Sequence, residues 1–142
     1  MESFSNNFAQ IEIRNEENKK PIFLKENEVI KVIVRFSGKP TDSEMNDYLA
    51  HITKIYELNH PFYIIYDGTD VGLLTPTQVY KQADFMRTKD QDTRRLIKKC
   101  AIILTSMTAR MTLNTLFTLK PPACKLEVFD NMTQAKIYLK QK

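Results

Sequence analysis

The stretch Pro61-Phe62-Tyr63-Ile64-Ile65-Tyr66-Asp67-Gly68-Thr69-Asp70 constrains the fold more than any other part of the chain. Apolar, β-branched and aromatic residues follow a proline and stop at an acidic, glycine-containing turn. That is the pattern of a short buried strand. A few residues on, Thr75-Pro76-Thr77 reads as a helix start, with Thr75 as the cap and Pro76 at the first helical position. A strand, a polar loop and a helix N-terminus in that order are where α/β domains commonly place a binding site.

The segments around this stretch alternate in the same way. Residues 8–14 alternate weakly, Asn15 to Lys20 forms a polar turn, and Pro21-Ile22-Phe23-Leu24 reads as a second extended piece. Glu28 to Phe36 is β-branched and strand-like, with both faces expected to be covered, and Ser37-Gly38-Lys39-Pro40 breaks it. Thr41-Asp42-Ser43-Glu44 opens a helix whose early acids suit the N-terminal dipole. Met45, Leu49, Ile52 and Tyr56 share one face of it, and the residue before Pro61 resists helical geometry and ends it. After Thr75, Val79, Ala83 and Met86 give the next helix a buried stripe. Lys99 to Thr105 reads as a strand. Residues 107–119 read as a helix carrying Met111, Leu113, Leu116 and Phe117, stopped by Pro121-Pro122. Lys125 to Phe129 is a strand, and Thr133 to Lys140 a closing helix with Ala135, Tyr138 and Leu139 inward.

This order predicts an α/β fold: a single-layer mixed β-sheet of four to five main strands with about four helices. At 142 residues the chain suits one domain, with residues 1–27 as N-terminal edge strands and 28–140 as the core. Only three glycines occur, so phosphate cradles rich in glycine have little to be built from. The longest apolar run, Cys100 to Leu104, is far short of a membrane span, and Met1 to Asn7 lacks the features of a signal peptide. The expected location is therefore the cytoplasm, with Cys100 and Cys124, far apart in the chain, as free thiols. Asn131-Met132-Thr133 is read as helix-capping chemistry.

The net charge of +4 belongs to one segment, because residues 81–99 hold seven basic against three acidic side chains and the remainder balances. Only Phe85 lies among these charges, so stacking on single-stranded nucleic acid is not suggested. The segment is read as a solvated helix and loop face rather than a nucleic-acid surface.

Several features together resemble the STAS superfamily, in particular its SpoIIAA-like (STAS/SEC14-type) branch of small bacterial proteins. They are Val32 to Gly38 before the first helix, Phe62 to Asp67 as the central strand, and Lys99 to Thr105 with Arg110 and Asn114 after it. Phe129-Asp130 followed by Ala135 and Leu139 completes the set. The resemblance covers roughly residues 28–140 and implies a non-enzymatic docking or regulatory module. In anti-sigma-factor antagonists, the strand aspartate is followed by an Asp-Ser-Ser-Gly segment that carries a phosphoacceptor serine at a helix start. Counted from Asp67, that segment falls on Thr75-Pro76-Thr77-Gln78. The acid and glycine are gone and two hydroxyls remain, which leaves Thr77 as the phosphoacceptor candidate and Thr75 better read as an N-cap.

No catalytic constellation stands out. His51 and His60 have no cysteine, serine or carboxylate partner at a recognisable spacing, and two distant cysteines with two distant histidines do not make a zinc site. No cofactor is expected. Asp67 and Asp70 could bind a cation or act as an acid/base pair at a strand's carboxyl end, but an Asx-type turn by Asp67 within its own loop is the simpler reading. The leading expectation is a protein-recognition surface made of Asp67, Gly68, Thr69, Asp70, Thr75 and Thr77, extended by Arg110 and Asn114. Its partner would be another protein, with self-association as an option. The SEC14 side of the resemblance implies an alternative, a carrier or sensor of a lipid or other apolar ligand held between helix and sheet. Met45, Met86, Met107, Met111 and Phe117 are the candidate walls of such a pocket.

Overall fold

The computed structural model describes residues 3–15 and 29–141. Strand alternation sets its architecture. In β3 (Ile30–Gly38) and β4 (Phe62–Val71), which pair in parallel, Val32, Val34, Ile64 and Tyr66 point to one face of the sheet. Ile65 points to the other. Among the described residues there are six strands, in the spatial order of the sequence, and five helices. β1 (Phe4–Ser5) and β2 (Ala9–Asn15) join β3 antiparallel. β4, β5 (Ile97–Ile103) and β6 (Leu126–Phe129) continue the sheet in parallel. The expected extended piece Pro21 to Leu24 lies outside the described residues.

α1 (Asp42–Glu57), α2 (Pro76–Thr88) and α4 (Met107–Leu119) lie on the Val32 face, while α5 (Met132–Lys140) packs on the Ile65 face against β4, β5 and β6. α1 begins as the sequence predicts. The Glu44 N–H donates to Thr41 Oγ1 at 3.1 Å, and the Thr41 N–H donates to Glu44 Oε1 at 2.8 Å, a complete capping box. Its buried stripe holds Met45, Leu49, Ile52 and Tyr56 as expected, and adds Tyr48 and Ile55. Asn59, with φ 55°, turns the chain out of the helix in the left-handed region that asparagine tolerates. Asn131 caps α5 by accepting from the Gln134 N–H at 2.9 Å.

Two expectations are corrected here. The strand through Tyr66 does not stop at Asp67. Past a bulge where Gly68 and Thr69 of β4 stand against Phe36 alone, Ser37 and Gly38 pair with Asp70 and Val71, so the ladder carries β4 to Val71. The segment 81–99 is not one helix and loop either. α2 ends at Thr88, and a separate short helix, α3 (Asp90–Leu96), leads directly into β5. Its charges pair locally, Arg87 with Asp84, Arg94 with Asp90 and Arg95 with Asp92. Gly72 closes the far end of β4. Its N–H donates to the Gly38 carbonyl at 2.8 Å, and a Cβ there would meet the Gly38 carbonyl carbon at 2.7 Å. That carbon and the Lys39 nitrogen, which the Cβ would meet at 2.8 Å, are backbone atoms that cannot rotate aside, so only glycine fits.

The β1 edge docks on α1. Asn6 Nδ2 donates to the Glu44 carbonyl at 3.1 Å, and the Phe4 ring stacks on His51 with centroids 4.8 Å apart. His51 Nε2 is buried without a hydrogen-bond partner among the described residues. Burial first, and nearby Lys54 second, hold the imidazole below its ordinary pKa. The folded value lies below the unfolded one, near 6.5, so the unfolded chain takes up this proton first. Stability is intact above the unfolded value and falls as pH drops through it toward the folded value. The urea midpoint should therefore decline as pH falls through about 6.5, and less steeply in His51→Phe. Equal slopes in the two proteins would remove His51 as the cause.

Candidate functional site

Of the polar residues expected to form a docking surface, Asp67 to Asp70 and the Thr75 cap lie at or just past the carboxyl end of β4, and several are committed within the chain. Asp67 Oδ1 accepts from the Thr69 N–H at 3.1 Å and from Thr69 Oγ1 at 2.6 Å, a closed Asx turn. Asp67 alternates to the opposite side of β4 from Tyr66. Gly68 is buried, its Cα so near β5 that a Cβ would lie 2.5 Å from Leu104 Cδ2. Thr75 Oγ1 accepts from the Gln78 N–H at 3.1 Å and the Gln78 side chain accepts from the Thr75 N–H at 3.0 Å. Gln78, 3% exposed, then donates to the Pro40 carbonyl at 3.0 Å and to Asp42 at 3.1 Å, tying α2 to the start of α1. Arg110 donates to the Leu104 carbonyl at 3.2 Å and pairs with Asp130 at 2.7 Å. Asp70, Thr77 and Asn114 are exposed.

Behind this rim lies a cavity of about 360 Å³ between the sheet and the helices. Tyr66, Cys100, Ile102 and Leu126 form its floor, Met45 and Tyr48 of α1 one wall, and Met86 of α2 with Leu113 and Phe117 of α4 the roof. Its cause is visible in α4. The helix is capped by Ser106, whose Oγ accepts from the Ala109 N–H at 3.0 Å, yet it buries no residue fully. Its ends are held. Arg110 fastens the first turns to the Leu104 carbonyl just past β5 and to Asp130. Arg87 donates to the Leu119 carbonyl at 2.9 Å, and Lys120 pairs with Asp90 at 2.7 Å. Between those fastenings Ala109, Leu113 and Phe117 pack on the core only in part, and the cavity lies beneath them.

The expected Met-rich wall is therefore half right. Met45, Met86 and Phe117 line the cavity, but Met107 and Met111 are 75% and 63% exposed on the outside of α4. Their spacing along an apolar helix suggested burial, but it sets both on the outer side of α4, while Ala109, Leu113 and Phe117 turn toward the sheet.

Aromatic side chains missed at the sequence level build the α1 end of the cavity. The Phe36 and Tyr66 rings lie parallel, 6.0 Å apart, and Tyr48 meets Phe36 edge-on at 5.3 Å. Burial pushes the Tyr48 and Tyr66 hydroxyls well above the usual tyrosine range, and the two interact with each other. Tyr56, pushed up to about 12 mainly by burial, shares a 2.8 Å hydrogen bond with Thr93. All three stay neutral across the physiological range, so they present hydrogen-bonding groups without charge. The alternation in Tyr63–Tyr66 could have shown that Tyr66 faces the helices; nothing local marks Tyr48 as its neighbour.

The two thiols, distant in sequence, both stand in the cavity wall, Cys100 buried and Cys124 half-buried. The Cys100 S–H beside it holds the Cys124 thiol below its ordinary range. Cys100 is pushed well above its own by the same neighbour and then by burial. Among the described residues no three His, Cys, Asp or Glu side chains converge as metal ligands, and no helix is long and apolar enough to cross a membrane.

No protein-family model matches the chain, and no curated protein matches it. Among solved structures it is similar to an uncharacterised protein of the DUF3478 family with a SpoIIAA-like fold from Shewanella loihica PV-4. The two are 15% identical with a TM-score of 0.59, over 96% of this chain and 98% of that one. The fold is SpoIIAA-like, as the sequence resemblance implied.

Proposed function

We propose that this chain is a non-catalytic cytoplasmic carrier or sensor that holds an apolar ligand between α4 and the sheet. The observation that carries the reading is a helix fastened at both ends over a cavity of about 360 Å³. Small-molecule sites start near this size, about 300 Å³, and are mostly apolar with a few placed polar groups. Water fits poorly against walls of Met, Leu, Ile and Phe, so an apolar occupant satisfies them better. The Tyr48 and Tyr66 hydroxyls would take the ligand's polar group at one end, and its apolar body would run beneath α4. This reading takes precedence over protein docking at the rim because Asp67, Thr75 and Arg110 are already engaged within the chain.

Leu113→Trp fills the cavity from its roof. Titration with the fluorescent apolar anion 1-anilinonaphthalene-8-sulfonate should show saturable binding to the parent protein, weakened about tenfold or more in Leu113→Trp. Met111→Glu, on the outer surface of α4, should bind as the parent does. Native mass spectra of freshly purified protein should carry an extra mass that Leu113→Trp lacks. Equal dye binding by folded Leu113→Trp, with bare apoprotein mass in every preparation, would overturn the proposal.

A further inference from the structure

Cys100 and Cys124 meet because β5 and β6 pair. Leu126 stands opposite Cys100 in the parallel ladder, and the Cys100 N–H donates to the Lys125 carbonyl at 2.9 Å, pinning the chain where it enters β6. Lys125 is exposed and Leu126 is half-buried in the cavity floor. One residue before Lys125 the chain returns to the cavity side, which sets Cys124 beside Cys100 in the same wall. One thiol is buried and the other half-exposed toward an apolar space. The half-exposed sulfur is the more readily ionised of the two, because its neighbour's S–H supports the thiolate. An accessible, activated thiol with a resolving thiol beside it is the arrangement that oxidises reversibly to a disulfide.

We propose that Cys100 and Cys124 form a reversible disulfide in the cavity wall when an organic hydroperoxide enters the cavity, and that this bond changes how tightly the site holds its ligand. The thiol chemistry stands on the pair itself; the effect on ligand rests on the apolar-site reading above. In the first step the Cys124 thiolate attacks one peroxide oxygen. An S–O bond forms, the O–O bond breaks, and the leaving alkoxide takes up a proton to become an alcohol. Cys124 is then a sulfenic acid, oxidised by two electrons as the peroxide is reduced. In the second step the Cys100 sulfur attacks the Cys124 sulfur, the S–O bond breaks, and hydroxide leaves as water with the Cys100 proton. In sum, two thiols and one hydroperoxide give a disulfide, an alcohol and water. A small dithiol reverses the bond by thiol–disulfide exchange. The apolar walls favour a hydroperoxide with an apolar tail over hydrogen peroxide.

The test treats the reduced full-length chain with one equivalent of cumene hydroperoxide. Intact mass should fall by two hydrogens in a monomer, both thiols should become unreactive to a thiol reagent after denaturation, and dithiothreitol should restore them. Cys100→Ser should stop at a sulfenic acid that dimedone traps, and Cys124→Ser should keep its one thiol. Hydrogen peroxide at equal concentration should act more slowly. Thiols that persist in the folded parent protein, or disulfides found only between molecules, would overturn the proposal. Reduced and oxidised forms are then titrated with 1-anilinonaphthalene-8-sulfonate, and an affinity change of about fivefold or more is expected. Equal affinities with the disulfide formed would overturn the regulatory half. Absence of dye binding in both forms would overturn the apolar-site reading while the mass change still upholds the thiol pair.

Discussion

Phe62→Ala is expected to lower the unfolding free energy by about 3–5 kcal/mol, read as a reduced denaturant midpoint with little change in the slope of the transition. Phe62 is 1% exposed at the start of the central strand, where it pairs with Ile30 on one side and Ile97 on the other. Its ring meets Tyr56 of α1 at 5.8 Å, and Tyr56 in turn reaches Phe85 of α2 at 6.4 Å. The side chain thus sits where two strands and two helices meet. Backbone ladders hold both neighbouring strands in place, so they cannot close over a deleted ring, and the void persists. A loss under about 1 kcal/mol would mean that the α1 side of the core repacks freely.

Lys99→Met is expected to cost about 2–3 kcal/mol and to loosen α5 in particular. Lys99 is a lysine only 8% exposed. Its Nζ donates to the Tyr138 carbonyl at 3.0 Å and to the Gln141 carbonyl, and lies 5.0 Å from the centre of the Tyr138 ring. It therefore satisfies carbonyls that the end of α5 leaves without intrahelical donors, and it places a cation where the helix dipole is negative. Methionine keeps the length of the stem and removes the donors. Amide exchange in α5 should speed up by more than in β4 and β5, because the helix is the element that loses its fastening. Unchanged protection of α5 would show that Ala135 and Leu139 alone hold it to the sheet.

These residues also show what the sequence made legible. Strand and helix order could be read because each period is local: the α1 stripe and the inward positions of α5 are where the spacing predicts them. β4 runs past Asp67 because Ser37 and Gly38, far away in the chain, offer a ladder. No local signal in an Asp-Gly-Thr-Asp run announces that. The short helix α3 starts without a side-chain cap, so nothing marked its beginning. The apolar content of α4 read as a buried face, but the helix turns Ala109, Leu113 and Phe117 toward the sheet and leaves Met107 and Met111 on its outer side. Alternation puts Cys100 on the Ile102 side of its strand, but only the register of β6 brings Cys124 to meet it.

The sheet begins with a strand of two residues and ends with one of four. Among the described residues, β1 pairs with only Gln10 and Ile11 of β2, and β6 with Cys100 to Ile103 of β5, so the longest uncovered ladder is the stretch of β2 past Ile11. Among the described residues, that stretch is the border on which a foreign strand would find most to zip onto.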